Sequence, residues 1–142
     1  MKGPAFFDTN VFLYADDILA PQKQNRAIEL ISEHQLKGLA IVSLQVLQEY
    51  FVVATRKLGV DAKLAQAKVA LMSRLRVVRL NEDDIISAIE LHRLHQISFW
   101  DALIVHAARL GGAEVLYSED LQDGSSLGGV RIVNPFRTPA RE

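Results

Sequence analysis

The chain has no cysteine among its 142 residues, which excludes a disulfide framework and thiolate metal sites. It has no long apolar run. A stretch such as Phe51 to Ala54 is far too short to span a bilayer, and Asp8 interrupts the N-terminal apolar residues before a signal-peptide core could form. It has no surplus of positive charge either. Sixteen Lys and Arg stand against 17 Asp and Glu, a net charge of −1, so a nucleic acid could not be held by bulk basicity and would need local basic groups or metal ions. Repeats, low-complexity tracts and linkers are absent as well. What is present is an ordinary globular composition, 49% hydrophobic and 23% charged, at the length of one domain. The expectation is a cytoplasmic chain with a single domain over residues 1–142, its core at about 5–136.

Along the chain, short apolar segments alternate with segments of helical period. Residues 4–7 form a buried strand that stops at Asp8-Thr9-Asn10, and a helix begins near residues 11–15. Pro21 opens a helix over about 22–37, with Ala27, Leu30, Ile31 and Leu36 on its apolar face and Gly38 at its end. Residues 39–42 are a second strand. Ser43 caps a helix over 44–57, and Asp61 caps another to about 73. Val77 and Val78 make a third strand. Asn81 caps a helix over 82–95 with three acids in its first turn, and Ser98 caps one over 99–110, closed by Gly111-Gly112. Residues 114–117 are a fourth strand, 118–129 a polar glycine-bearing loop and 130–133 a fifth strand. Uniformly apolar short strands separated by helices predict an α/β fold, a parallel sheet covered by helices on both faces.

Functional crevices in such sheets lie beyond the carboxyl ends of the strands. Asp8 follows strand one directly, and Asp120 lies three residues past strand four. Asp101 is the third residue after the Ser98 cap, and Glu49 lies in the helix leaving strand two. On their helices Glu49 has Val46, Val52 and Val53 as neighbours, and Asp101 has Ile104 and Val105, with no basic residue at those spacings. Carboxylates on apolar faces are costly to bury unpaired, and several converging would repel one another. A hard divalent cation, Mg²⁺ or Mn²⁺, resolves that with oxygen ligands.

Each acid also has a plain structural role open to it: Asp101 as part of a capping box with Ser98, Asp8 as a turn residue, Asp120 and Asp123 as loop residues. Other chemistries are poorly served. His92 and His95 lack further zinc ligands. His106, five residues from Asp101, faces another side of its helix. No phosphate-binding glycine loop or nucleophile elbow occurs. Trp100 reads as a core residue. A haloacid-dehalogenase-type phosphatase would need a second acid where Asn10 stands, and a receiver-like or purely binding domain would have no use for four acids at one edge.

The motifs together resemble the PIN-domain family. Phe6-Phe7-Asp8-Thr9-Asn10-Val11-Phe12-Leu13-Tyr14 is similar to its opening. Glu49 stands at its second acid, and Ser98-Phe99-Trp100-Asp101-Ala102-Leu103 at its third motif. Leu116-Tyr117-Ser118-Glu119-Asp120 resembles its fourth, and Asn134-Pro135-Phe136 its ending. Within the family the chain looks most like the VapC-type toxins of toxin–antitoxin pairs. The resemblance implies a three-layer α/β/α fold with five parallel strands in the order 3-2-1-4-5, a homodimer, and an RNA substrate, with cleavage restrained by a small antitoxin protein. It assigns metal binding and catalysis to Asp8, Glu49, Asp101 and Asp120, with Asp123 as a further ligand from the same loop. Thr9 and Ser118 become donors that orient the carboxylates. The expected activity is endoribonuclease action by a water activated at one or two Mg²⁺ ions. The alternative within the same fold is a nuclease that has no antitoxin.

Overall fold

The computed structural model describes residues 3–137, so the expected domain of 1–142 runs past the described residues at both ends. Twelve elements follow in chain order: β1 (Ala5–Phe7), α1 (Thr9–Ala15), α2 (Pro21–Leu36), β2 (Ala40–Ser43), α3 (Leu44–Arg56), α4 (Ala62–Met72), β3 (Arg76–Val78), α5 (Glu82–His95), α6 (Phe99–Leu110), β4 (Val115–Tyr117), β5 (Ser126–Leu127) and β6 (Val130–Val133). The sheet order is β3-β2-β1-β4-β6-β5. The first five of these strands are mutually parallel and follow the expected 3-2-1-4-5 order, the expected fifth strand being β6.

One strand was not expected. β5 pairs antiparallel with β6, Ser126 opposite Arg131 and Leu127 opposite Val130. Two residues carry no readable period. The hairpin is instead set by Gly128 and Gly129, whose φ values of +57° and +84° suit the tight turn that follows the strand twist.

Register explains the layers. Phe6 lies beside Ile41 and Leu116, and Leu116 beside Ile132, so these four side chains share one face of the pleat. α6 packs there. Its terminal Gly111 comes so close that an added Cβ would lie 2.9 Å from Val78 and 3.2 Å from Ile41. On the other face, Phe7 packs edge-on against Phe12 of α1 and His34 of α2 and stacks on Tyr117. Helices thus cover both sides of the sheet.

α2 departs from its expected face. Leu36 is exposed, and the buried position is His34, one helical turn after Leu30. Its Nδ1 bonds the Leu30 carbonyl oxygen, which satisfies the ring nitrogen and lets imidazole serve as a flat packing group. At the far end of α1 the buried Tyr50 of α3 donates its hydroxyl to Asp16, which also pairs with Lys68 of α4 at 3.0 Å. Burial and the Asp16 carboxylate push the Tyr50 hydroxyl well above its ordinary pKa. These bonds fix α1 against α3, the two helices that flank the site. Among the described residues no helix is long and apolar enough to cross a membrane.

Candidate active site

Asp8 sits where β1 becomes α1. Its backbone N–H still belongs to the sheet, donating to the Tyr117 carbonyl of β4 at 3.0 Å, while its side chain caps α1 by accepting from the Thr9 N–H at 2.7 Å. On the neighbouring strand Ser118 is the first residue past β4, so its hydroxyl reaches the other carboxylate oxygen of Asp8 at 2.7 Å. Asp8 is 5% exposed and Ser118 fully buried. Burial pushes the Asp8 carboxyl up to about 6; the Ser118 hydroxyl and Thr9 N–H oppose that rise, and the Asp120 and Glu49 charges add to it.

Glu49 is aimed by two side chains. The Thr9 hydroxyl donates to Oε1 at 2.8 Å, and Gln45, one turn earlier on α3, donates to Oε2 at 3.2 Å. Asp101 lies in the first turn of α6, where its N–H donates to the Ser98 hydroxyl at 3.0 Å. The cap is one-sided. In α5 the third residue, Asp84, returns a bond to the Asn81 N–H, whereas Asp101 has no such return bond among the described contacts. Its carboxylate is left for the cleft. Burial raises its pKa, against the Ser98 hydrogen bond, and the Asp120 and Glu49 charges contribute.

Asp120 is exposed and held by Asn10, whose side-chain amide donates to it at 3.2 Å. Its own N–H donates to the Ser118 hydroxyl at 3.1 Å. The adjoining acid Glu119 is drawn away from the cleft: Lys23 pairs with it at 2.6 Å and the Tyr14 hydroxyl donates to it at 2.8 Å. Alternation of direction along the loop thus selects Asp120 over Glu119.

Asp8, Glu49, Asp101 and Asp120 line one open cleft of about 490 Å³, together with Thr9, Asn10, Gln45 and Trp100. The structure does not bring Asp123 there. One of its oxygens accepts from the Asn134 N–H at 2.8 Å and the other from Arg137 at 3.1 Å, and the Asn134 bond chiefly holds its pKa below the usual value. Asp123 ties the loop to the end of β6.

Trp100 is also misread by the sequence. It is 62% exposed, at the cleft, with Phe99 packed on the core in its stead. The histidines stay out of the cleft: His106 pairs with Asp84 of α5 at 2.8 Å and accepts from Arg109, and His92 bonds the Ile97 carbonyl. Sequence reasoning missed Asn10 and Gln45. Their only signals were position, one residue from Asp8's partner Thr9 and one helical turn before Glu49.

The donor set suits a hard cation. It consists of carboxylates, hydroxyls and amides, with Lys57 as the one basic side chain lining the cleft among the described residues. Among the described residues no three acidic or histidine side chains stand grouped as a ready-made cage. Mg²⁺ does not need one, since it is usually held by one or two carboxylates and keeps several waters.

A family model described as the PIN domain matches residues 5–122. No curated protein matches at a significant level. Among solved structures, the chain is similar to a toxin–antitoxin complex from Klebsiella pneumoniae, at 19% identity over 94% of this chain and 99% of that one, TM-score 0.68. It is similar to VapC20 of Mycobacterium tuberculosis, described as a sarcin-ricin-loop-cleaving toxin, at 22% identity over 82% and 89%, TM-score 0.61. It is also similar to VapBC2 of Rickettsia felis, solved with a promoter DNA fragment, at 21% identity over 90% and 96%, TM-score 0.61. At such identities the likeness is one of fold.

Proposed function

The chain belongs to the PIN-domain family, and from that premise we propose that it is a divalent-metal-dependent endoribonuclease, the toxin of a cytoplasmic toxin–antitoxin pair, working as a homodimer. The observation that carries the nuclease reading is the cleft itself: four carboxylates at one sheet edge, the most buried of them shifted up to about 6. Such a group is poised to give up its proton when a cation arrives. The toxin reading is supported by similar solved structures that are toxin–antitoxin complexes.

Asp8 and Asp101 would be the principal ligands, Glu49 would complete the set, and Asp120 would support a second ion. When bound, Mg²⁺ supplies a Lewis acid for the phosphate and lowers the pKa of the attacking water. The protein's own part is placement. Ser118 and the Thr9 N–H fix both oxygens of Asp8, Thr9 and Gln45 fix those of Glu49, and Asn10 steadies Asp120. Removing a residue that only orients a ligand typically costs 10- to 100-fold, so Thr9→Val should lower kcat/KM about tenfold or more.

The test is cleavage of single-stranded RNA by the pure protein in Mg²⁺. Activity that persists in excess chelator would refute the metal-dependent reading. A small protein that co-purifies from the native host and silences cleavage would support the toxin assignment.

A pH experiment follows from Asp8. Its carboxyl is raised from 3.8 to about 6, so Mg²⁺ binding should weaken as pH falls through about 6, where Asp8 takes up a proton that competes with the ion. Ser118→Ala removes the strongest force holding that value down, so the acid limb should move to higher pH. Mg²⁺-induced melting shifts measured across pH 5–8 would show it. An unmoved limb would mean the Ser118 hydroxyl does not set the Asp8 charge.

A further inference from the structure

Trp100 has more of its surface in water than its size warrants. It is 62% exposed, yet its position is fixed. Phe99 packs edge-to-face on its ring at 5.2 Å, and its carbonyl accepts from Gln45 at 3.2 Å. It adjoins Asp101 in sequence and lines the same cleft as the four acids. An indole held by its backbone, with its ring left open beside an active site, is arranged for a flat ligand.

α3 gives the cleft its length. Gln45, Glu49 and Lys57 all line it. Gln45 touches Trp100, Glu49 is one turn on, and Lys57 is the C-cap residue. At 1.5 Å per residue the run from Gln45 to Lys57 is about 18 Å, with Glu49 roughly a third of the way along. Lys57 is exposed and makes no ion pair among the described residues. An aromatic platform, a group of acids and a free cation thus follow one another along one helix, spanning a few nucleotides of strand.

We propose that α3 is the track of a single-stranded RNA, with an unpaired base stacked on Trp100, the scissile phosphate at the acids and a further phosphate on Lys57. This deepens the nuclease reading and rests on it. Stacking on an aromatic ring is sequence-tolerant because every base has a π-face, and it needs an unpaired base because that face is accessible only when the base is unstacked from its neighbours. The side-chain amide of Gln48, which lines the same cleft, and the amide oxygen of Gln45, whose nitrogen is given to Glu49 and the Trp100 carbonyl, can hydrogen-bond base edges. A protein partner would be better served by the groove between α3 and α4, where Leu47, Phe51, Val52 and Val69 form an apolar wall.

Trp100 is the only tryptophan, so its fluorescence reports the site directly. Rapid mixing with short mixed-sequence single-stranded RNA in Mg²⁺ should quench it saturably, and an abasic strand of equal length should not. Trp100→Ala should raise KM about tenfold with kcat within about twofold of wild type, while Trp100→Phe keeps most of the affinity. Lys57→Gln should weaken binding of all sequences alike and reduce the salt slope by about one.

Equal quenching by the abasic strand, or an unchanged KM in Trp100→Ala, would overturn the platform. Emission that follows protein concentration and not RNA would place Trp100 in a protein interface and overturn it too. Cleavage without base-dependent quenching defeats the platform alone; quenching without cleavage defeats the nuclease reading alone.

Discussion

Asp8→Asn should abolish cleavage and at the same time raise the melting temperature of the metal-free protein. The two effects share one cause. The Asp8 carboxyl ionises near pH 6 when folded and near 3.8 when free. A raised carboxyl favours folding fully below 3.8, and that contribution is lost as pH rises through 6. At neutral pH the buried charge therefore costs the fold about 3 kcal/mol, as an order of magnitude. Asparagine carries no charge. Its amide oxygen can still accept from the Thr9 N–H, but its NH₂ meets the Ser118 hydroxyl, which must turn to accept from it. Allowing for that rearrangement, roughly 1–2 kcal/mol should be recovered, a rise of about 3–8 °C for a domain of this size.

Cleavage should fall by more than about a hundredfold, since even residues that merely orient a ligand cost 10- to 100-fold. Mg²⁺ should stabilise the wild type much more than the variant, because only the wild type binds it well. Melting curves with and without Mg²⁺, at neutral pH and near pH 4, make the check. The variant's metal-free advantage should vanish near pH 4, where wild-type Asp8 is already protonated. An equal Mg²⁺ shift in both proteins, or an advantage that does not depend on pH, would show that Asp8 is not the charged group the cleft is built around.

The parts of this molecule legible in the sequence are those with local causes. α5 and α6 begin where Asn81 and Ser98 put their boundaries, because an N-cap is a contact between residues three apart, and α6 ends at Gly111. The order of the five parallel strands came from family resemblance, not from any local signal. The four acids could be named because each stands at a strand end or in an early helical turn of a parallel sheet. What joins them was not legible. Ser118 meets Asp8 across 110 positions and Asn10 meets Asp120 across the same distance, and no period or spacing carries such pairings. Trp100 and Asp123 failed for a related reason. Whether an aromatic points inward, or a loop carboxylate turns to Asn134 rather than to its neighbour Asp120, is decided by tertiary packing. His34 for Leu36 on α2 shows the same override, a polar ring buried because its nitrogen found a carbonyl four residues back.

Cleaved RNA should carry a 5′-phosphate and a 3′-hydroxyl. The alternative route uses the substrate's own 2′-hydroxyl, leaves a 2′,3′-cyclic phosphate, and calls for an acid and a base that trade protons near neutral pH, a task histidine suits best. None of His34, His92, His95 or His106 lines the cleft. His34 is buried in the layer between α2 and the sheet, and His106 is locked between Asp84 and Arg109. Asp8, raised to about 6, is a candidate for the base. Yet both its oxygens are already engaged by Ser118 and Thr9, and no histidine lines the cleft beside it to act as the acid. On the nuclease reading the attacking oxygen would therefore be that of water, and in-line displacement of the 3′ oxygen would fix the ends. Chelator should abolish the reaction, Mg²⁺ or Mn²⁺ should restore it, and Ca²⁺ should do so poorly, its looser coordination suiting the site less. A single 2′-deoxy substitution at the cleavage point should slow the reaction only modestly, because that hydroxyl takes no part in bond making. End-labelled products resolved against phosphatase-treated and untreated standards decide the matter. Cyclic-phosphate ends, or near-complete loss of cleavage on the 2′-deoxy substrate, would mean that the RNA supplies its own nucleophile and that the four carboxylates serve some other purpose.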